Sequence, residues 1–225
     1  MLNSDLWRSL LDGVSITVQV TGLAVAWGTV VAVVLGVASL SKIRALRWLI
    51  RVYVEVLRGV SAIILLFWMA FALPRVGPEL TPMQAGILAL GLNLSAYGTE
   101  IVRGAVQAVP RGQTEAAIAI NLSNLRRIWS VTLPQAAVTI LPPYGSLVIE
   151  VLKASALVSL INLRDIMFVA QSVRRQADSP STASIFLAAL ILYYAISLGI
   201  IFVVRLLERR FGRGLDIGRM AGTVK

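Results

Sequence analysis

Residues 14–39 read VSITVQVTGLAVAWGTVVAVVLGVAS, an apolar run without a single charged side chain. About 20 apolar residues in helical conformation cross the hydrocarbon core of a bilayer, so this run is long enough to span on its own. Similar stretches recur at 55–74, 80–99, 136–161 and 182–204, the last of them uncharged from Ser179 onward. The expected fold is therefore all-α: one domain over residues 1–225, a polytopic membrane bundle of five transmembrane helices. In the fourth stretch Pro134 falls just before the start, and Pro142 and Pro143 lie inside.

The whole composition agrees. Of 225 residues, 57% are hydrophobic and 14% charged, against roughly 25% charged in an average soluble domain. Lys and Arg number 21, Asp and Glu 11, and neither His nor Cys occurs. Disulfides, thiolate nucleophiles, imidazole bases and zinc, haem or iron–sulfur ligation by these side chains are thereby excluded.

The charges set an orientation. Lys42, Arg44, Arg47, Arg51 and Arg58 follow the first stretch. Arg103, Arg111, Arg126 and Arg127 follow the third, and Arg205, Arg209, Arg210, Arg213, Arg219 and Lys225 follow the fifth. Short cytoplasmic connections carry the Lys/Arg excess, so the expectation is N-terminus outside and C-terminus inside. Arg174 and Arg175 run mildly against it. A cleavable signal peptide fits the first stretch poorly, because its apolar core is too long and Asp5 and Asp12 precede it.

Within the first stretch Ala24, Gly28, Ala32 and Gly36 repeat every fourth residue, a small-residue stripe that lets another helix approach closely. Ser15, Thr17, Gln19 and Thr21 either border a wet path or satisfy one another. Glu150 and Lys153 stand one helical turn apart in an apolar segment, where ionisable groups are costly. They are placed either to pair with each other or to face a solute path or a second subunit.

The loop between the third and fourth stretches carries Pro110-Arg111-Gly112-Gln113-Thr114-Glu115-Ala116-Ala117-Ile118-Ala119-Ile120-Asn121. After the Pro/Gly break, Glu115 to Ile120 reads as a short helix. Asn121 occupies the position of a left-handed terminating residue, a role Asn fills second to Gly. Ser123 or Asn124 is placed to cap the helix that follows. A short Ala-rich helix in a cytoplasmic loop either docks into a groove on another protein or packs against its own bundle.

Glu115-Ala116-Ala117, then Asn121, Val131 and Leu133-Pro134, resembles the EAA loop of importer permeases of the ATP-binding cassette (ABC) class. Ala96-Tyr97, Glu100, Arg103-Gly104-Ala105, Val109-Pro110, Gly112-Gln113 and Leu133-Pro134-Gln135-Ala136 are similar to the polar amino acid permease subfamily, whose members transport histidine, glutamate, glutamine, arginine or opines. Departures from the subfamily pattern at Arg58-Gly59-Val60-Ser61-Ala62, Lys153-Ala154-Ser155-Ala156-Leu157 and Leu141-Pro142-Pro143-Tyr144-Gly145 resemble its ectoine/hydroxyectoine branch.

The resemblance implies a bacterial inner-membrane subunit that works with a second permease, a homo- or heterodimer. It also implies a cytoplasmic ABC ATPase dimer and an extracytoplasmic solute-binding protein. The EAA loop, about 112–134, would be a cytoplasmic coupling helix offering Gly112, Gln113, Glu115, Ala116, Ala117 and Asn121 to the ATPase. ATP and Mg would belong to that partner and no cofactor to this chain, which has no Gly-x-x-x-x-Gly-Lys-[Ser/Thr] phosphate loop. Arg103 and Arg111 flank the loop and either meet acidic residues of the ATPase or serve orientation alone.

For a small zwitterionic solute such as ectoine, Lys153 and Asn93 are candidate partners of the carboxylate, and Trp68, Tyr97 and Glu150 of the cation. Polar amino acids or opines are the alternative solutes. An intramembrane enzyme is a remote alternative: Lys153 and Ser155 are two residues apart, and on a helix such residues diverge.

Overall fold

The computed structural model describes residues 4–175 and 181–212, and every regular element within them is helical. The expected tail charges Arg213, Arg219 and Lys225, and Ser179 at the start of the last uncharged stretch, lie outside the described residues. In chain order the elements are α1 (Ser4–Ala38), α2 (Arg44–Gly59), α3 (Ala62–Phe67), α4 (Leu73–Val76), α5 (Pro82–Gln107), α6 (Arg111–Ala119), α7 (Asn124–Arg127), α8 (Leu133–Ala154), α9 (Ile166–Arg174) and α10 (Thr182–Gly212). Wide π-helical turns at Trp68–Ala72 and Ile128–Thr132 join α3 to α4 and α7 to α8, and a 3₁₀ turn at Ser155–Ile161 extends α8. Both π-helical turns run into a Leu-Pro pair, Leu73-Pro74 and Leu133-Pro134. A proline has no N–H for the preceding turn and its ring crowds the carbonyl four residues back, so a widened turn relieves the clash.

Among the described residues, four continuous helical stretches are long and apolar enough to span: Trp7–Ala38, Pro82–Gln107, Ile128–Ile161 and Thr182–Phe211. The second expected span differs. Residues 55–74 are not one helix, because Arg44–Gly59 and Ala62–Val76 meet at 100°. The break is local backbone chemistry: Val60 and Ser61 are both extended, at φ −92°, ψ 133° and φ −64°, ψ 138°.

The small-residue stripe of α1 is a packing seam against α5. A Cβ on Gly28 would meet the Gly91 carbonyl oxygen at 2.7 Å, and one on Gly36 would meet Val102 Cγ1 at 2.6 Å. Ala32 faces Gly98, and Val20 faces Gly86. The partners ascend together, so α1 and α5 run parallel. Trp27 closes the seam by donating its indole N–H to the Ile87 carbonyl oxygen at 3.1 Å.

Helix α8 runs the other way, with Val158 against Gly86 and Tyr144 against Gly98. The Tyr144 hydroxyl donates to Thr29 Oγ1 at 2.8 Å, binding α8 to α1. Where α10 crosses α8, Val204 fills the space beside Gly145. The main core joins Val20 and Ala24 of α1 with Leu65 and Leu66, with Leu90 and Leu94, and with Leu147 and Val151.

At the far end of α1 a polar knot holds α9 and α10. Asp165 is fully buried and caps α9, accepting from the Phe168 N–H at 2.9 Å and from the Tyr193 hydroxyl at 3.2 Å. Burial lifts its carboxyl from the usual carboxylate range to about 6, more than these hydrogen bonds lower it. Thr17 accepts from the Ile166 N–H at 3.3 Å and donates to the Gly13 carbonyl oxygen at 3.0 Å. Thr17 therefore satisfies itself within the protein, whereas the hydroxyl of buried Thr21 has no partner among the described residues.

Candidate functional site

The loop after α5 is built by its termini. Pro110 is extended and its carbonyl oxygen accepts from the Gln113 N–H at 3.1 Å, which starts α6. At the other end Asn121 has φ 57°. The Asn121 N–H donates to the Ile118 carbonyl oxygen at 2.9 Å, and the Leu122 N–H reaches back to that of Ala117 at 3.0 Å. This pair of bonds is the Schellman ending, which needs a left-handed residue at that point. Asn121 thus has the terminating conformation its position predicts.

The face that α6 exposes departs from expectation. Gly112, Gln113, Glu115 and Ala116 are exposed as expected, but Ala117 is 3% exposed and points into the protein. Its small size is required by packing beneath the helix, so it is not among the residues offered outward. Ile118 and Ile120 are presented instead, at 54% and 72% exposure. Composition grouped them with the apolar run of the loop; only the helix phase, fixed by the Schellman bonds, turns them outward. Gln113 accepts from Gln135 Nε2 at 3.1 Å, tying α6 to the start of α8.

The candidate solute residues fall into three places. Glu150 and Lys153 are both exposed on α8 and do not pair, against one of the two expectations. The opposite face of the same turn, Val151 and Leu152, is buried. From the contacts of Tyr144 and Val158 with Gly98 and Gly86, this turn lies level with the middle of α5, where partly buried Asn93 also sits. Trp68 stands apart, on the π-helical turn after the 100° break, beside Ile64, Phe67, Phe71 and Arg75.

Tyr97 belongs to a third group, which sequence reading treated as loop charge. A polar cleft of about 400 Å³ lies between α2 and α5, lined by Arg47, Arg51, Glu55, Arg58, Glu100 and Arg103 among others. Arg103 is engaged within its own helix, where Glu100 holds it at 2.6 Å and Gln107 accepts from it at 3.0 Å. Arg58 lies with its guanidinium carbon 5.1 Å from the Tyr97 ring centroid. Beside them Tyr53 and Ser95 share a 2.6 Å hydrogen bond. The spacing 44, 47, 51, 58 was the available signal: those arginines share one edge of a helix.

Parallel and antiparallel spans around a small-residue seam, with an exposed helix between two of them, define a polytopic helical membrane protein. The chain matches the family model described as binding-protein-dependent transport system inner membrane component over residues 24–213, and it belongs to that family.

It is 41% identical over 202 residues to the probable amino-acid ABC transporter permease protein y4tF of Sinorhizobium fredii, covering 87% of this chain and 84% of that one. It is 30% identical over 214 residues to the L-cystine transport system permease protein TcyB of Bacillus subtilis, covering 95% and 91%. Among solved structures, an amino acid ABC transporter crystallised with histidines superposes with a TM-score of 0.80 at 30% identity, over 90% of this chain and 94% of that one. The MetNI methionine transporter gives 0.78 at 21% identity, over 93% and 99%, a likeness of fold. The chain is thus a permease component of a binding-protein-dependent transport system, a multi-pass inner-membrane protein and not itself an enzyme.

Proposed function

We propose that this permease pairs with a second permease subunit, N-terminus outside and C-terminus inside, and passes a small zwitterion delivered by an extracytoplasmic binding protein. An ABC ATPase dimer, which carries ATP and Mg, docks on α6 from the cytoplasm. Glu115, Ile118 and Ile120 form the docking contact, held in phase by Asn121. The Lys/Arg bias of the connections supports the orientation.

One observation carries the solute route: Glu150 and Lys153 lie exposed at mid-span with no ion-pair partner among the described residues. An unpaired charge facing lipid at that depth costs several kcal/mol. A wet path or a second subunit therefore covers them. Lys153, with Asn93 at the same level, suits a carboxylate, and Glu150 a cation.

Ectoine or hydroxyectoine is the particular solute we propose, on the residue pattern around Arg58, Lys153 and Pro142-Pro143. Polar amino acids are the second reading, favoured by the names of the relatives. Uptake competition in vesicles holding the full complex, among ectoine, hydroxyectoine, arginine and glutamate, separates the two. In the same vesicles Glu115→Lys should abolish solute-coupled ATP hydrolysis without reducing membrane insertion; normal assembly and uptake would remove the docking assignment. Lys153→Met should lower uptake with assembly intact, and unchanged uptake kinetics would return Lys153 to a packing role.

A further inference from the structure

The α2–α5 cleft carries a charge imbalance that orientation does not require. Four arginines, Arg47, Arg51, Arg58 and Arg103, share it with two glutamates, Glu55 and Glu100. Arg103 and Glu100 satisfy each other. Arg47, Arg51 and Arg58 make no ion pair among the described residues. Arginines that only retain a loop on one side of the membrane point away from the protein, toward water and headgroups. Here Arg47, Arg51 and Arg58 lie exposed along the edge of α2 that borders the cleft, next to the buried Ile50 and Val54, and on the far side Trp48, Leu49 and Val56 are exposed at 67%, 60% and 56%. A charged edge set between a buried apolar edge and an exposed apolar edge is not the pattern of a soluble surface helix, which has a single apolar stripe. Within a membrane, ionisable side chains are placed so when they line a water-filled cavity.

The cleft also has depth. It runs from Gln107, the last residue of α5, inward to Arg58, which sits on Tyr97, well within the same span. Held over a ring face, a guanidinium keeps its in-plane N–H donors available, and such donors grip a carboxylate in bidentate fashion. Glu55 and Glu100 keep the excess charge modest, which favours passage over trapping.

We propose that the α2–α5 cleft is an anion-selecting station on the solute route, where Arg47, Arg51 and Arg58 receive the carboxylate of the passing solute. This rests on the solute-route reading above and names the part of the solute that the cleft recognises.

The chain contains no cysteine, so a single Ser39→Cys in the cleft wall is a clean reporter. The full complex in vesicles of both orientations is treated with the anionic sulfonatoethyl and the cationic trimethylammonioethyl methanethiosulfonates. The anionic reagent should react faster by about ten-fold, the scale on which a charged cleft concentrates counter-ions. Adding Arg51→Gln or Arg47→Gln should shrink that ratio several-fold, and Arg51→Lys should keep it. Equal rates, a cationic preference, or no labelling from either face would overturn the proposal. Anion-selective labelling in a complex that imports none of the tested zwitterions would sustain the cleft and remove the solute assignment instead.

Discussion

The Tyr97 hydroxyl donates to the Arg58 carbonyl oxygen at 3.4 Å, while its ring lies 5.1 Å from the same residue's guanidinium carbon. One side chain thereby fixes both the backbone at the end of α2 and the charge that follows it. A cation over an aromatic face contributes about 0.5–2 kcal/mol, more as water is excluded, and the long hydrogen bond adds little. Tyr97→Phe should therefore leave the thermal unfolding midpoint of the detergent-solubilised protein nearly unchanged. Tyr97→Leu should lower it, by an amount corresponding to about 1 kcal/mol. Equal midpoints for the two variants would deny the ring its role.

At the end of α6, the left-handed backbone of Asn121 selects among replacements. Asn121→Gly should preserve or slightly improve solute-coupled ATP hydrolysis, because glycine takes positive φ without steric cost. Asn121→Val should impair it strongly, since a β-branched residue resists that region and forcing one there costs about 1–2 kcal/mol. ATP hydrolysis in the reconstituted complex reads the difference; equal activity in both variants would mean the helix ending does not set coupling.

Two glycines of α1 test the seam. Gly28→Ala would put a methyl group 2.7 Å from the Gly91 carbonyl oxygen, whereas a Cβ on Gly22 meets nothing within 4 Å. Overpacking costs about 1–3 kcal/mol, so Gly28→Ala should lower the unfolding midpoint by several degrees. Gly22→Ala should leave it unchanged or raise it, since alanine is the better helix former by about 1 kcal/mol. A reversed order would put the α1–α5 register in error.

Asp165 gives the knot of α1, α9 and α10 a pH dependence. Its carboxyl stands at about 6 in the folded protein, against about 3.9 in an unfolded chain. Between those values the folded state holds a proton that the unfolded chain has released, so stability falls as pH rises through the window. Tyr193 faces the carboxyl directly, and Arg164 and Asp12 line the shallow pocket nearby. Unfolding midpoints at pH 5 and pH 7 should differ, with the higher value at pH 5. Asp165→Asn keeps an acceptor for Phe168 and Tyr193 and should flatten the profile; an unchanged slope would assign the effect to other groups.

Much of this arrangement was legible in the sequence. The charge-free run at 14–39, the small-residue stripe and the left-handed Asn121 are local patterns, and each folds as its pattern dictates. What escaped depends on the partners of a residue. The break at Val60-Ser61 contains no proline and stands between two apolar stretches, so hydropathy reads through it. Glu150 and Lys153 have the spacing of an ion pair, but spacing leaves open which way a helix edge faces. Ala117 belongs to a motif by composition yet is buried by the phase of α6. The arginines of α2 serve equally well as retained loop charges until the fold sets them along the cleft beside α5.

The parallel course of α1 and α5 has a consequence for the chain between them. Two neighbours that descend in the same direction require the segment joining them to climb back, so the kinked pair Arg44–Gly59 and Ala62–Val76 must make one net crossing. With one crossing for each of the four continuous candidate spans, the traverses would total five. Ser4 and Gly212 are then expected to face different solutions, and reporter groups placed near these two residues test it by whether they sense opposite compartments.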